Sequence, residues 1–316
     1  MSHVSTSNIL MVRPANFGFN EETAASNAFQ TNDKSLTISE IQENAKIEFD
    51  AFVAKLQSKG VNVVVANDSV TPIKPDAIFP NNWVSFHDNG AIITYPMYAE
   101  VRRLERSEAI IEQISNDFET GERFNLENSE AKKLYLEGTG SMIFDRPQRL
   151  VYACISPRTD ETVLDSFCEI TNFDKVVFTA VDGNGQQIYH TNVMMAIGET
   201  FVVICLDTIV DADERVMVEQ SIIDTDKEVI EITLEQMMHF AGNMLQVRNE
   251  SGETFLVMSE QAYKSLTDSQ IGQIETHTEI LHTPLYTIET YGGGSARCMM
   301  AEIFMAKKEE NLSEIE

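Results

Sequence analysis

Pairs of short apolar runs, each pair separated by a turn signal, recur along the 316-residue chain and restrict its fold more than any other feature. Runs of this length predict strands, and a few polar or glycine residues between two of them predict an antiparallel hairpin. Helical periodicity follows, and then a further apolar run. The predicted hairpins join residues 83–86 to 91–95, 141–145 to 150–156, 189–197 to 201–206, and 243–248 to 255–258.

Predicted helices alternate with these strands, which indicates the α/β class. The longest helix is predicted from Ile38 to Ser58, with Ser39 as its N-cap and Gly60 at its end. The repeating unit of strand, turn, strand, helix and strand spans several tens of residues, but its side chains do not match well enough to identify an internal repeat. Because no Pro/Gly/Ser-rich linker divides the chain, we expect a single domain over residues 1–316, with a charged tail from about residue 307.

The charge balance excludes some partners. Lys and Arg number 23 against 50 Asp and Glu, which gives a net charge of −27, so the chain would repel a nucleic-acid backbone. The densest basic cluster (Arg102, Arg103 and Arg106) is interrupted by acids. The longest apolar runs have strand length, and residues 1–13 lack the pattern of a signal peptide, so no membrane partner is expected.

The four cysteines (Cys154, Cys168, Cys205 and Cys298) form no CxxC pair. The sequence therefore predicts neither a zinc cluster nor a disulfide framework, and it favours a reducing, cytoplasmic compartment. Cys154 and Cys205 lie in apolar runs typical of core strands.

Cys298 differs because it follows the glycine-rich stretch that begins at Tyr291, Tyr-Gly-Gly-Gly-Ser-Ala-Arg-Cys. Glycines let the backbone approach a ligand closely, and the amides of such a loop can lower a thiol pKa or hold an anion. On the residues alone, two readings stay open: a nucleophile, or an ordinary buried cysteine in a turn before a core strand.

His190 and Asn192 fall on one face of the strand predicted over residues 189–197. Two polar groups on one face of an apolar strand cost free energy when buried, unless they are paired or used in a site. A hydrogen-bonded structural pair is the alternative to a functional one.

Two further segments carry candidate polar groups. Glu137 precedes Gly-Thr-Gly at the start of a predicted strand, where a carboxylate could orient a histidine or could simply be a solvated turn acid. Phe79-Pro-Asn81-Asn82-Trp83 sets two amides beside a rigid proline, close after Asp76. Those amides fit either a polar substrate or ordinary turn chemistry.

Together these segments resemble the guanidine-modifying superfamily known as penteins, which includes arginine deiminases, dimethylarginine dimethylaminohydrolases and amidinotransferases. Within it, the segments 79–83 and 190–192 are most similar to those of the citrulline utilization hydrolase type. Six segments match in order along the chain, at residues 11–14, 76–82, 102–105, 136–138, 190–192 and 292–298.

The resemblance implies a five-bladed α/β propeller, with pseudo-fivefold ββαβ modules around a narrow polar site. It implies that Cys298 is the nucleophile, His190 the general acid and base, and Glu137 the group that orients His190. The Cys298 thiolate would attack a guanidino or ureido carbon, His190 would protonate the departing amine, and water would hydrolyse the thio-adduct. The resemblance implies no metal and no organic cofactor.

Asn82 and Asn192 depart from the arginine deiminase pattern, in which both positions are typically Asp. Two carboxylates suit a guanidinium, whose N–H groups all donate, whereas amides suit a ureido group, which also needs a donor for its oxygen. Citrulline, cleaved to ornithine, carbon dioxide and ammonia, is therefore the favoured substrate. Asp76 could still supply one carboxylate, so arginine hydrolysis to citrulline stays open, as do an amidinotransferase and a non-catalytic binding protein.

A small amino-acid substrate also needs a group that binds its α-carboxylate. Arg102, Arg103 and Arg297 are the candidates, because a guanidinium fork fixes a carboxylate in orientation, although each could serve in a structural ion pair. Asn81 and Phe79 complete the predicted substrate-binding set. The sequence leaves both a monomer and a homo-oligomer open.

Overall fold

The computed structural model describes residues 3–309 and contains, within them, fifteen strands and ten α-helices. The strands are β1 (Asn8–Arg13), β2 (Asn62–Asn67), β3 (Val84–Phe86), β4 (Ile92–Thr94), β5 (Arg123–Asn125), β6 (Ile143–Asp145), β7 (Leu150–Cys154), β8 (Asp174–Phe178), β9 (Met195–Ile197), β10 (Phe201–Ile204), β11 (Glu228–Glu231), β12 (Leu245–Arg248), β13 (Thr254–Ser259), β14 (Glu279–Thr283) and β15 (Ala301–Ile303). The helices are α1 (Glu21–Ala24), α2 (Ile38–Ser58), α3 (Glu108–Asp117), α4 (Gly138–Ser141), α5 (Glu161–Thr171), α6 (Ala212–Ile223), α7 (Leu234–Met238), α8 (Glu260–Ser265), α9 (Asp268–Glu275) and α10 (Tyr286–Gly292).

The strands pair into five units of one design, each an antiparallel pair extended by a parallel third strand. Four units follow the chain: β3-β4-β5, β6-β7-β8, β9-β10-β11 and β12-β13-β14. In each unit at least one helix connects the second strand to the third, as a parallel connection requires. The α/β class predicted from the alternating pattern is confirmed.

The fifth unit combines the two ends of the described chain. Strand β15 runs antiparallel to β1, with Asn8 opposite Ile303, and β2 adds in parallel to β1. A single register pair, Ile303 opposite Phe86, joins this unit to the next one in a six-stranded sheet of order β2-β1-β15-β3-β4-β5. The remaining three units each form a separate three-stranded sheet.

Helix α2 has the predicted bounds but a different cap. Thr37, not Ser39, is the N-cap: its hydroxyl accepts from the Glu40 N–H, and the Glu40 carboxylate accepts from the Thr37 N–H. This reciprocal pair is a capping box, which forms because Glu40 lies three residues after Thr37. Gln42 stands at the same distance from Ser39, so the spacing alone does not distinguish the two positions. Gly60 ends the helix as predicted, with φ +79°.

The strand predicted over residues 189–197 is wrong in its first half. Only Met195–Ile197 forms a strand, and Thr191–Val193 forms a 3₁₀ turn one residue before it. The same arrangement precedes the first strand of three other units, as Pro80–Asn82 before β3, α4 before β6, and Ala296–Met299 before β15. We call these four segments the entry turns. They contact one another, so they bring distant parts of the sequence to one place.

Two further details concern the ends of elements. Helix α3 begins only at Glu108, because Val101–Glu105 forms a separate 3₁₀ turn before it. The predicted tail is held where it begins: Lys307 forms a β-bridge with Phe118, and the Lys308 N–H donates to the Asp117 carbonyl. Residues from 310 onward lie outside the described part.

Two properties of the described residues bear on function. None of the helices within residues 3–309 is long and apolar enough to cross a membrane. Over the same residues, no three His, Cys, Asp or Glu side chains are grouped so that they could hold a metal ion.

A chain of buried polar side chains links the two strands of the first hairpin. The Ser85 hydroxyl lies 2.6 Å from the Tyr95 hydroxyl and 2.8 Å from His87 Nε2. Burial, and then the charges of Arg146 and Arg149, lower the pKa of His87 well below its usual 6.5. His87 is therefore neutral in the folded protein across the range in which the unfolded chain binds a proton.

This predicts an acid-dependent loss of stability that His87 causes. Between about pH 7 and about pH 5 the unfolded state takes up a proton at this position and the folded state does not, so the free energy of unfolding falls with pH. We expect wild type to lose about 2 kcal/mol more over this interval than His87→Gln. Urea unfolding at both pH values measures it, and equal losses in the two proteins would contradict it.

Candidate active site

Three entry turns carry the residues predicted to do chemistry. Cys298 lies within Ala296–Met299, His190 directly precedes Thr191–Val193, and Glu137 directly precedes α4. All three side chains are buried. Cys298 and His190 line the same small cavity, so a reactant between them would meet both side chains.

Glu137 and His190 form a direct pair. Glu137 Oε2 lies 2.8 Å from His190 Nε2, and Glu137 Oε1 accepts the Tyr98 N–H at 2.9 Å. Because the carboxylate only accepts, Nε2 carries the ring proton and Nδ1 is the nitrogen that can exchange a proton with a reactant. Gly140 lies against this nitrogen: a Cβ there would come within 2.8 Å of Nδ1.

Two guanidinium groups set the charge of this pair. Arg158 Nη1 and Arg102 Nη1 lie 3.6 and 3.8 Å from Glu137 Oε2. Burial opposes ionisation, but Arg158, the His190 hydrogen bond and Arg102 together lower the pKa of Glu137 to about 2. Burial lowers the pKa of His190 to about 4, although the hydrogen bond that His190 donates to Glu137 opposes this shift. Near neutral pH the pair is therefore a carboxylate and a neutral imidazole.

The Cys298 sulfur lies against two amide groups. Asn192 Nδ2 is 3.4 Å and Asn243 Nδ2 3.3 Å from Sγ, so both can donate to a thiolate. The Asn243 Oδ1 in turn accepts the Arg297 N–H at 3.1 Å, which ties it to the turn that carries Cys298. The sequence analysis missed Asn243, although it stands just before the first strand of its unit, as Asn192 does.

The glycine-rich stretch acts by allowing close packing. A Cβ on Gly294 would lie 2.9 Å from the Phe79 ring and 3.3 Å from Cys298 Cβ, and Gly293 has φ +63°. The Gly293 carbonyl accepts the Tyr189 hydroxyl at 2.9 Å. The stretch thus brings Phe79 and Cys298 to one wall of the cavity.

Several buried polar atoms in and beside the cavity have no hydrogen-bond partner among the described residues, and three of them belong to Asn82, Asp76 and Asn192. Asn82 Oδ1 accepts from Arg102 Nη1 at 3.0 Å, but its Nδ2 is unpartnered. Asp76 Oδ2 accepts from Asn20 Nδ2 at 2.7 Å, but its Oδ1 is unpartnered. Asn192 Oδ1 is the third. Buried polar groups of this kind need a partner, and a substrate can supply it.

Of the predicted carboxylate ligands, the structure brings only Arg102 to the cavity. Its Nε and Nη2 donate to Glu105 at 2.9 Å each, and Nη2 also faces the Phe79 carbonyl. Arg103 instead donates to the Met97 carbonyl at 3.1 Å. It also lies 3.4 Å from Glu130, and Arg103 is not among the residues that line the cavity.

Arg297 and Asn81 also lie off the cavity. The Arg297 fork pairs with Glu302 at 2.7 Å and with the Met300 carbonyl at 2.9 Å, so it serves the structural role that the sequence left open. Asn81 is buried on its entry turn, and its side chain is not among those that line the cavity. Neither side chain is therefore placed to bind a substrate in the cavity.

Arg158 is a cavity residue that the sequence analysis missed. Its Nη2 donates to Ser26 Oγ at 2.6 Å and to the Thr23 carbonyl at 3.2 Å, and its guanidinium lies over the Tyr189 ring at 4.8 Å. Its Nε has no partner among the described residues. No local signal marks Arg158, since these contacts join segments more than 130 positions apart.

The Glu137–His190 pair predicts the effect of Glu137→Gln. The amide keeps the shape of the side chain but cannot stabilise an imidazolium, so kcat should fall ~10²–10⁴-fold with a smaller change in KM. Steady-state kinetics measure both constants. Glu130→Gln is the matched control, because Glu130 accepts the Met97 N–H at 2.9 Å in the same way but pairs with Arg103 and Arg106 rather than with His190. Equal losses in the two variants would contradict the assigned role.

Solved structures of similar fold include proteins whose names refer to the chemistry of arginine. The N-terminal domain of ArgZ, bound covalently to a reaction intermediate, matches with a TM-score of 0.72 and 16% identity, covering 94% of this chain and 99% of that one. Full-length ArgZ is described as an arginine dihydrolase from the ornithine-ammonia cycle in cyanobacteria. AgrE matches with a TM-score of 0.71 and 16% identity, and the match covers 96% of this chain and 40% of that one.

A third match is a dimethylarginine dimethylaminohydrolase that carries an adduct with S-methyl-L-thiocitrulline. Its TM-score is 0.64 and its identity 15%, and the match covers 93% of this chain and 98% of that one. At these identities the likeness shows the fold alone, which is that of the penteins. No curated protein sequence matches the chain. The family described as "N,N dimethylarginine dimethylhydrolase, eukaryotic" matches residues 13–305. The chain therefore belongs to this family of pentein hydrolases, which act on guanidino C–N bonds.

Proposed function

We propose that the chain hydrolyses the ureido group of a free amino acid, with citrulline as the favoured substrate, through a covalent adduct on Cys298. The observation that carries this proposal is the set of unpartnered buried atoms in and beside the cavity. Asn82 Nδ2 is a donor, whereas Asp76 Oδ1 and Asn192 Oδ1 are acceptors. A ureido group has one oxygen that accepts and N–H groups that donate, so it complements this set.

The orientation of Asn82 supports a ureido oxygen over a guanidinium nitrogen. Arg102 can only donate, so the Asn82 atom that faces it is the oxygen, and the amide cannot flip without placing two donors against each other. Asn82 Nδ2 is therefore left for the substrate. Every nitrogen of a guanidinium is also a donor, and it would leave Asn82 Nδ2 unsatisfied.

The chemistry follows from the residues around the cavity. His190 Nδ1 takes the proton that Cys298 releases. The amides of Asn192 and Asn243 donate to the resulting thiolate, which attacks the ureido carbon. The tetrahedral adduct collapses as His190 returns the proton to one departing amine. Water, deprotonated by His190, then attacks the thiocarbamate carbon and frees Cys298 together with a carbamate. The carbamate decomposes to carbon dioxide and the second amine.

We assign the α-carboxylate to Arg158, in place of Arg103 and Arg297. Arg158 lines the cavity and keeps an unused Nε donor, whereas the guanidinium of Arg102 is committed to Glu105 and Asn82. The cavity, about 20 Å³, is smaller than any amino acid. We infer that binding displaces the segment that carries Thr23 and Asn27, because both residues line the cavity and the same segment contacts Arg158 through Thr23 and Ser26.

Arginine is the second candidate, because Asp76 supplies one carboxylate to the cavity. Hydrolysis of arginine to citrulline followed by the reaction above would make the chain an arginine dihydrolase, as ArgZ is described. An amidinotransferase would use the same adduct but would need an amine acceptor.

We make three broader proposals, which concern the architecture, the domain organisation and the location of the protein. The common strand order of the five units supports their closure into a five-bladed propeller around the cavity. The shared sheet of β1 and β15 supports a single catalytic domain. A nucleophile that must stay reduced, with four free thiols, supports a cytoplasmic location.

Adduct formation tests the chemistry and the substrate together. The protein is incubated separately with citrulline, arginine and agmatine, and the intact mass is measured after acid quench, alongside ammonia release without an added acceptor. We expect an adduct and ammonia with citrulline, and neither in Cys298→Ala. Cys154→Ala is the matched control, because it removes a buried thiol outside the cavity. Turnover only with an amine acceptor, or no adduct with any substrate, would contradict the proposal.

Specificity should follow the charge at position 82. Asn82→Asp removes the donor and adds a carboxylate, so kcat/KM for citrulline should fall ~10²–10³-fold, the cost of one lost oxyanion donor. The ratio of arginine to citrulline turnover should rise. Asn89→Asp, in an exposed turn, makes the same change of charge and should alter neither. An unchanged ratio in Asn82→Asp would mean that Asn82 does not face the ureido oxygen.

A further inference from the structure

Arg146, in the turn between β6 and β7, is a buried cation that has no polar partner among the described residues. It is only 7% exposed, and neither a hydrogen bond nor an ion pair within 4.0 Å connects its guanidinium to any residue in the range 3–309. Its flat face lies over two aromatic rings, at 3.8 Å from the centre of Phe304 and 4.9 Å from that of Phe144. These rings fix the plane of the guanidinium but accept none of its N–H groups in the plane.

The missing partner is not explained by a shortage of acids, since the chain has 50. The other three buried arginines each have a carboxylate within 4.0 Å, and they are Arg102, Arg158 and Arg297. The acids that face Arg146 are Glu302, which Arg297 already holds at 2.7 Å, and Asp88, in an exposed turn. Burial of an uncompensated charge is costly, so a position like this one needs an anion from elsewhere.

A cavity of about 90 Å³ lies beside Arg146, and its volume is several times the ~15 Å³ that one water requires. Arg149 contributes a second guanidinium, whose Nε donates to the Asn172 carbonyl and whose Nη2 donates to the Thr171 carbonyl. His87 is neutral, and Asp88 is the single acid among the described residues of the lining. The lining therefore carries two positive charges and one negative charge.

We infer that this cavity binds a small oxyanion, a carboxylate or a phosphate, on the guanidinium fork of Arg146. Two parallel N–H groups of a guanidinium match two oxygens of such an anion, and the fork is already oriented by its aromatic neighbours. The second guanidinium, Arg149, adds attraction from the solvent side.

The site is separate from the catalytic cavity. Strands β3, β6 and β15 each begin at an entry turn, and each ends at the oxyanion cavity or its aromatic wall, next to His87, Arg146 or Phe304. A bound anion would neutralise Arg146 where hairpin turns of two units meet the end of β15. Because only the folded state forms this site, binding should stabilise the fold.

Ligand-dependent stability tests the inference independently of any enzymatic activity. Thermal unfolding is measured with increasing inorganic phosphate, and separately with acetate, at ionic strength held constant with chloride. We expect a saturating rise in Tm for wild type with at least one of the two anions. The anion that raises Tm shows whether the site takes a phosphate or a carboxylate. Arg146→Met should remove the rise. Arg215→Met, which removes a half-exposed arginine of α6 and makes the same change of net charge, should keep it.

Isothermal titration calorimetry with the active anion checks the geometry of the fork. Arg146→Lys keeps the charge but loses the two parallel donors, so we expect at least ~10-fold weaker binding. This variant also covers the case in which Arg146→Met does not fold. Saturable binding that is equal in wild type and Arg146→Lys, a Tm rise that survives Arg146→Met, or no saturable effect of either anion on wild type would each overturn the inference.

Discussion

The buried carboxylate of Glu137 is the constraint on which the centre of the molecule depends. It is inaccessible to solvent and remains ionised only because a backbone N–H, an imidazole and two guanidinium groups surround it. A charge buried without such compensation would cost several kcal/mol. The compensating groups come from residues 98, 102, 158 and 190, so the ionised state of Glu137 requires that these separate segments meet. The packing of the units against one another and the formation of the site therefore depend on the same contacts.

The charged groups around Glu137 allow the net charge of the site to change by one proton. Asp76, Glu105 and Glu137 face Arg102 and Arg158, so full ionisation leaves one negative charge in excess. Burial raises the pKa of Glu105 to about 7 and also raises the pKa of Asp76, although Arg102 opposes both shifts. One proton shared by these three carboxyl groups makes the site neutral, whereas its loss leaves one negative charge.

Sequence reasoning succeeded where a signal is local and failed where contacts are distant. The hairpins and α2 follow from periodicity and turn chemistry, and the resemblance led to Cys298, His190 and Glu137. The strand through His190 was wrong because alternation of apolar and polar residues also fits a 3₁₀ turn that leads into a short strand. Arg158 could not be found from its neighbours, since its contacts to Thr23 and Ser26 join segments that are remote in the sequence.

The entry turns explain how this fold persists at 16% identity to its structural neighbours. Each unit needs only short apolar strands and an amphipathic helix, which many sequences provide, so its core places few demands on individual residues. The turns that lead into β3, β6, β9 and β15 carry the polar residues of the site, and a substitution there changes chemistry without disturbing a strand. An amide or a carboxylate at position 82 occupies the same volume on the same turn, yet one adds a donor to the cavity and the other adds a charge. In such an architecture, the chemistry of the cavity depends on a few turn residues, whereas the strands determine only that those residues meet.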